Sequence, residues 1–98
     1  MTQLPEAAEI VDAIRAALIK LLSPEDLAQV DVGNLGPQTP LLSLPIDSAA
    51  LMALMTELED TFTVFIDEEA AFSFAAVGDV VDHIRNRLAA KAQRLSQA

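Results

Sequence analysis

Residues 44–62 read LPIDSAALMALMTELEDTF, and this stretch decides the fold. A proline-bounded loop ends at Asp47-Ser48, and apolar residues then recur at i, i+3, i+4, i+7 and i+11. This spacing places them on one face of an α-helix that runs from Ser48 to about Thr61. The pattern therefore predicts an amphipathic helix that begins at a serine. Its apolar positions are Leu51, Leu54, Met55, Leu58 and Phe62.

Amphipathic stripes on either side of this helix predict two more long helices. The first opens near Pro5, a residue favoured at the first helical position, and ends by Leu22, because Ser-Pro follows. The last carries its apolar positions at helical spacing up to Leu88. The two stripes are Ile10, Ile14, Leu18 and Leu21 in the first helix, and Val77, Val80, Val81, Ile84 and Leu88 in the last.

Short capping motifs predict smaller elements between the long helices. Ser23 before Pro24 is typical of a capped helix start, and Asp67 before two glutamates is typical of another. We expect Ser73 to cap the last long helix. Residues 63–66 are β-branched and aromatic, but no second strand candidate exists to pair with them. We therefore interpret them as an extended, buried connector.

The chain is predicted to form one all-α domain, a small four-helix bundle with a long first loop. Ninety-eight residues suffice for a single modest core, and the apolar content is mainly aliphatic, with 4% aromatic residues. The loop at 31–45 contains glycines and prolines, together with leucines that pin it to the core. We assign residues 1–98 to the domain, about 5–90 to its core and 92–98 to a frayed polar tail.

The charge distribution indicates which partners the chain would meet. The net charge is −9, and between residues 21 and 84 there are twelve acidic residues and no Lys or Arg. Such a field repels nucleic acid and anionic lipid and favours basic protein partners. The apolar runs are too short to span a bilayer, and the first residues lack a signal-peptide pattern. We expect a monomeric, cytoplasmic protein without membrane insertion.

Few residues are suited to catalysis or metal binding. The chain has no cysteine and one histidine, His83, so zinc sites built on these ligands and a thiol nucleophile are excluded. A single distant histidine gives no basis for a hydrolytic triad, and we predict that the chain is not an enzyme. We interpret His83 as a half-buried helix residue, with a ligand or switch as the alternative. The Asp67-Glu68-Glu69 run is typical of a helix start, with a weak divalent-cation site as the alternative, and we expect no metal.

Several segments, taken in order, resemble the acyl carrier protein family over about residues 5–90. The matching pieces are TPLLSLPIDS, the helix that begins at its serine, ELEDTF, FIDEEA and AVGDVVDHI. The resemblance implies that Ser48 is the attachment site for 4′-phosphopantetheine, and that Asp47 helps a phosphopantetheinyl transferase to recognise it. It further implies that the arm carries an acyl group as a thioester and presents it to acyl-loading and acyl-processing enzymes. The pathway that the resemblance implies is of the fatty acid, lipid or polyketide type.

The outward face of the central helix is the candidate docking surface. Glu57, Glu59 and Asp60 lie at the helix C-terminus, where acids oppose the dipole, so stability does not favour them there. A solvated face and a docking patch for basic partners both fit this pattern. The candidate docking residues are Ala49, Met52, Ala53, Thr56, Glu57, Glu59 and Asp60.

Some positions depart from the family pattern. Ala49 stands where the family usually has Leu, and Pro45 where it has Gly. Ala50 and Ala53 occupy positions that are often acidic. These departures favour a specialised carrier over the housekeeping carrier of fatty acid synthesis. Two alternatives stay open: an unmodified carrier-like helical module that docks a basic partner, and an aminoacyl or peptidyl carrier.

Overall fold

The computed structural model describes residues 4–96, which form five α-helices and two short 3-10 turns. The prediction of an all-α fold is confirmed, with three long helices that pack together and two short ones. None of the described helices is both long and apolar enough to cross a bilayer. The helices are α1 (Ala7–Leu21), α2 (Pro24–Leu27), α3 (Ser48–Phe62), α4 (Glu68–Ser73) and α5 (Val77–Ser96).

The predicted apolar stripes converge on one core. Helix α1 packs along α3 and also contacts α5, while α4 packs against α3. Leu21 and Leu88 are only partly buried at the edges of their stripes. The core also takes in loop residues, which explains why the long loop is not free. Its buried members are Ile10, Val11, Ile14, Ala17, Leu18, Leu35, Leu41, Leu44, Leu54, Met55, Leu58, Ile66, Ala71, Val77, Val80, Val81 and Ile84.

Backbone hydrogen bonds fasten the long loop to the start of α5. Pro40 and Ala76 form an isolated antiparallel bridge, and the Val77 N–H donates to the Thr39 carbonyl at 2.9 Å. The Gly78 N–H donates to the Pro37 carbonyl at 2.8 Å. A Cβ at position 78 would lie 2.9 Å from that carbonyl oxygen, so only glycine permits this approach.

Arg15 fastens the same loop to α1. Its guanidinium donates from Nε to the Val32 carbonyl at 2.6 Å and from Nη2 to the Leu35 carbonyl at 3.4 Å, and it also pairs with Asp12. The first part of the loop is thereby fixed to one long helix and the later part to another. The segment that follows enters α3 from a fixed position.

The short helices begin at the predicted caps. The Ser23 hydroxyl accepts a hydrogen bond from the Asp26 N–H at 3.2 Å, and the Asp67 carboxylate accepts one from the Ala70 N–H at 2.7 Å. Both bonds satisfy N–H groups that a helix start leaves without a partner.

Three details of the sequence prediction need correction. Ser73 does not cap α5: it ends α4, and the Asp79 carboxylate instead accepts hydrogen bonds from the N–H groups of Ala75 and Ala76. The 63–66 connector is not wholly buried, since Phe65 is 63% exposed. Where we predicted a polar tail after Lys91, α5 continues through Ser96, and residues 97 and 98 lie outside the described part.

Candidate functional site

The start of α3 is built around Asp47. Its carboxylate accepts a hydrogen bond from the Ala50 N–H at 2.7 Å, and its backbone carbonyl accepts one from the Leu51 N–H at 2.9 Å. Asp47 is therefore the N-cap, and Ser48 is the first residue of the helix rather than its cap. Ser48 and Ala49 precede the first residue whose N–H finds an acceptor in this turn.

The Ser48 hydroxyl is exposed and makes no hydrogen bond within the described residues. The other serines with described side chains behave differently. Ser23 accepts from a backbone N–H, while Ser43 donates to the Pro40 carbonyl and Ser73 to the Ala70 carbonyl. Ser48 thus presents a hydroxyl that stabilises nothing in its own fold and is open to a reagent from outside.

An apolar cavity of about 360 Å³ lies beside Ser48. Leu41 and Ala71 are buried within its walls, whereas Leu42 is 98% exposed and Phe72 is 50% exposed. The cavity is open to solvent, and the exposed Ser48 is one of its lining residues. Its lining residues are Leu41, Leu42, Ile46, Asp47, Ser48, Leu51, Ala71, Phe72 and Phe74.

Helical periodicity alone did not identify this cavity. Leu42 follows Leu41 directly, and the two leucines of a 3-10 turn cannot both face the core, yet the sequence does not tell which one does. The packing resolves it, with Leu41 5% exposed and Leu42 almost fully in solvent. Phe72 likewise lies outside the α3 pattern, on a short helix that reaches the site only through the tertiary fold.

The outward face of α3 contains the residues that the helical projection placed away from the core. Ala49, Thr56 and Asp60 are exposed, and Ala53 is half-buried. Met52 is half-buried and packs against the core.

Two of the three acids on that helix are engaged inside the fold. Glu57 accepts a hydrogen bond from Lys20 on α1 at 2.8 Å, and this bond together with the Glu57 charge raises the pKa of Lys20. Glu59 accepts from the Ile66 N–H at 2.8 Å, which ties the connector after α3 back to the helix. The structure therefore gives both carboxylates an internal role, and leaves Asp60 as the exposed acid of this helix end.

His83, on α5, contacts one of the residues that line the cavity. Its ring contacts the Phe74 ring edge-on, with centroids 5.3 Å apart, and Phe74 lines the cavity. Burial lowers the pKa of His83, the charge of Arg87 lowers it further, and Asp67 acts in the opposite direction. The interpretation of His83 as a half-buried helix residue is confirmed. In residues 4–96, no cluster of three His, Cys, Asp or Glu side chains has the arrangement of a metal site.

Comparison with known proteins gives two kinds of match. The model of a family described as "Phosphopantetheine attachment site" matches residues 12–84. The chain is 32% identical over 72 residues to an acyl carrier protein of Desulforapulum autotrophicum, which covers 72% of this chain and 94% of that protein. It is 42% identical over 45 residues to an acyl carrier protein of an Exiguobacterium species, which covers 46% of this chain and 57% of that protein.

Proposed function

The chain belongs to the acyl carrier protein family and contains its phosphopantetheine attachment domain; from this premise we propose that Ser48 is the residue that bears the 4′-phosphopantetheine arm. The observation that carries the proposal is the Ser48 hydroxyl, which is exposed, without a hydrogen bond in the described residues, and next to an apolar cavity. A phosphate ester at this place also meets the positive end of the α3 dipole, a contribution of about 0.3–1 kcal/mol.

The chain's own residues have simple tasks in this attachment. Ser48 Oγ forms a bond to the phosphorus that carries the pantetheine part of coenzyme A. The phosphoanhydride bond to the adenosine nucleotide breaks, and the hydroxyl proton passes to a base of the transferase. Asp47 fixes the first helical turn, so the hydroxyl is presented in one place. Once attached, the arm supplies the thiol that this cysteine-free chain lacks, and the thiol carries an acyl group as a thioester.

We assign the partners by the same reasoning. A phosphopantetheinyl transferase installs the arm, and acyl-loading and acyl-processing enzymes of a fatty acid, lipid or polyketide-type pathway act on the cargo in the cytoplasm. The outward residues Ala49, Ala53, Thr56 and Asp60 support docking on α3, because none of them serves the core. Glu57 and Glu59 contribute to that surface only in addition to their internal bonds. Asp47 contributes its charge to recognition by the transferase.

The test is modification of the apo chain with coenzyme A, Mg²⁺ and a broad-specificity phosphopantetheinyl transferase, followed by intact mass. We expect one phosphopantetheine unit on the wild-type chain and none on Ser48→Ala. The free energy of unfolding of that variant should lie within about 0.5 kcal/mol of the wild-type value, because Asp47, not Ser48, provides the cap and alanine is a good helix former.

Ser43→Ala is the matched control, since Ser43 is an exposed serine five positions before Ser48 and should leave the increment unchanged. Mapping requires cleavage at acidic residues, because trypsin would leave residues 21–85 in a single peptide. An increment that persists in Ser48→Ala would overturn the assignment. A wild-type chain that several transferases leave unmodified would instead favour the unmodified binding module.

A further inference from the structure

Two apolar side chains that line the cavity leave half or more of their surface in solvent. Leu42 is 98% exposed and Phe72 is 50% exposed, and both line the cavity that Ser48 borders. We call this pair the apolar rim. A leucine left in water forgoes the stabilisation that its burial would give. The two side chains line the same cavity instead of lying singly on the surface, and exposed apolar patches of this kind mark interaction sites.

The surroundings of the apolar rim carry only negative charge along the chain. The rim lies in the interval 21–84, which has no Lys or Arg. Asp47 is one of the cavity's lining residues. Glu68 lies one helical turn before Phe72 on α4, and both Glu68 and its neighbour Glu69 are exposed. A partner whose surface complements the rim therefore has an apolar pocket bordered by lysines or arginines.

We propose that the apolar rim is the contact through which the phosphopantetheinyl transferase docks on this chain. The inference rests on the proposed attachment at Ser48. Because the new bond forms at Ser48 Oγ itself, the transferase must bring its active site onto this hydroxyl, and so onto the side chains that line the same cavity. Enzymes that process the cargo react with the thiol at the far end of the arm, so their chemistry by itself does not require contact with the rim. Leu42 and Phe72 are therefore recognition residues for the modifying enzyme.

The experiment separates docking from chemistry. Transferase binding is measured by calorimetric titration of the 98-residue Ser48→Ala chain, which lacks the reacting hydroxyl, with and without Leu42→Ser. Steady-state modification of the chain with an intact Ser48 is followed by mass. We expect Leu42→Ser to raise both Kd and the KM for the carrier about tenfold, equivalent to ~1.4 kcal/mol. We expect kcat to stay within about twofold, because the reacting groups are unchanged.

Two matched controls test whether the effect depends on the place of the side chain in the rim or only on the loss of an exposed apolar side chain. Leu95→Ser removes a leucine that is 67% exposed on α5, and Phe65→Ala removes a phenylalanine that is 63% exposed in the connector, as a control for Phe72→Ala. Neither control should change Kd. Because the chain has no Trp or Tyr, folding of every variant is checked by far-UV circular dichroism.

Three results would overturn the proposal. Equal Kd values for Leu42→Ser and Leu95→Ser would show that the rim does not contact the transferase. A fall in kcat at unchanged Kd would show that Leu42 acts on the reaction rather than on docking. A concentration-dependent dimer that Leu42→Ser dissolves would assign the rim to self-association. In all three the wild-type chain is still modified, whereas an unmodified wild-type chain would overturn the proposed function itself and this inference with it.

Discussion

The Asp47 carboxylate caps α3, and we propose that its charge is also recognised by the transferase. Substitutions of this one residue can separate the two roles. Its carboxylate caps α3 by accepting the Ala50 N–H at 2.7 Å. An aspartate in this position also faces the positive end of the helix dipole. Asparagine caps a helix about as well as aspartate but carries no charge, whereas alanine provides neither.

We predict that Asp47→Ala lowers the free energy of unfolding by about 1 kcal/mol and that Asp47→Asn changes it by at most about 0.5 kcal/mol. Both variants should lower the initial rate of phosphopantetheine transfer, because both remove the charge offered to the transferase. Urea unfolding followed by circular dichroism gives the stability, and intact mass gives the rate. If Asp47→Asn were modified at the wild-type initial rate, Asp47 would act only as the helix cap and not in recognition by the transferase.

Among the secondary structure elements, α3 ends in an unusual way. Thr63 has φ 55° and ψ 51°, the left-handed region, and it is the one non-glycine residue with positive φ in the described chain. This conformation turns the chain so that Ile66 can donate to Glu59 on the helix it has just left. A β-branched residue adopts it at a cost of roughly 1–2 kcal/mol, which glycine avoids.

We predict that Thr63→Gly raises the free energy of unfolding by about 0.5–1 kcal/mol, since the relief of strain exceeds the entropy that glycine adds to the unfolded chain. Thr61→Gly is the control, because Thr61 lies inside the last turn of α3 and donates to the Glu57 carbonyl. There glycine should destabilise by about 1 kcal/mol. The measurement is thermal and urea unfolding of both variants, and destabilisation by Thr63→Gly would contradict this account of the turn.

The long helices could be predicted because their information is local. Apolar periodicity predicted most ends of α1, α3 and α5 to within a few residues. Ser23 and Asp67 were recognisable as N-caps because their side chains can accept a hydrogen bond from the first helical turn. The start of α5 was misplaced because Ser73 has the chemistry of a cap but is the last residue of α4. Asp79, in the first turn of α5, accepts hydrogen bonds from the N–H groups of Ala75 and Ala76, in a segment that the loop 37–41 holds in place.

The candidate site was predictable in its hydroxyl but not in its surroundings. The Asp47-Ser48 pair could be read from the sequence, since a loop ends and a helix begins there. A helical projection gave the direction of Glu57 but could not give its partner, Lys20, which lies 37 residues away. The exposure of Leu42 likewise depends on which leucine the tertiary core accepts.

At the scale of the whole molecule, the charge asymmetry of the chain increases because two of its basic side chains are bonded within the fold. Arg15 and Lys20 are the cations before residue 21, and both bond to groups of the fold, Arg15 to loop carbonyls and Lys20 to Glu57. The remaining cations lie between Arg85 and Arg94 on α5. The segment that contains Ser48 and the apolar rim itself carries only acidic charges, which favours steering of a basic enzyme at low ionic strength.

The stability of the whole domain should respond to pH through His83. Burial and the charge of Arg87 lower the pKa of His83, while Asp67 opposes them, and the Phe74 ring covers one edge. The folded chain then binds a proton less readily than the unfolded chain, whose histidine keeps its ordinary pKa of 6.5. As the pH falls through 6.5, the unfolded state takes up the proton first, so the free energy of unfolding decreases until the lower folded pKa is passed.

We predict that the difference in unfolding free energy between the wild type and His83→Gln is constant above pH 7 and shifts against the wild type between pH 6.5 and the lowered pKa. Urea unfolding of both proteins at closely spaced pH values gives this difference, in which the titration of the many carboxylates largely cancels. Asp79→Asn provides a control in a separate window. Hydrogen bonds from the Ala75 and Ala76 N–H groups lower the pKa of Asp79 from 3.8, so its contribution to stability should be constant at higher pH and should be lost only as the pH falls below 3.8. A pH-independent difference between wild type and His83→Gln from pH 7.5 to 4.5 would show that His83 titrates alike in the folded and unfolded chains.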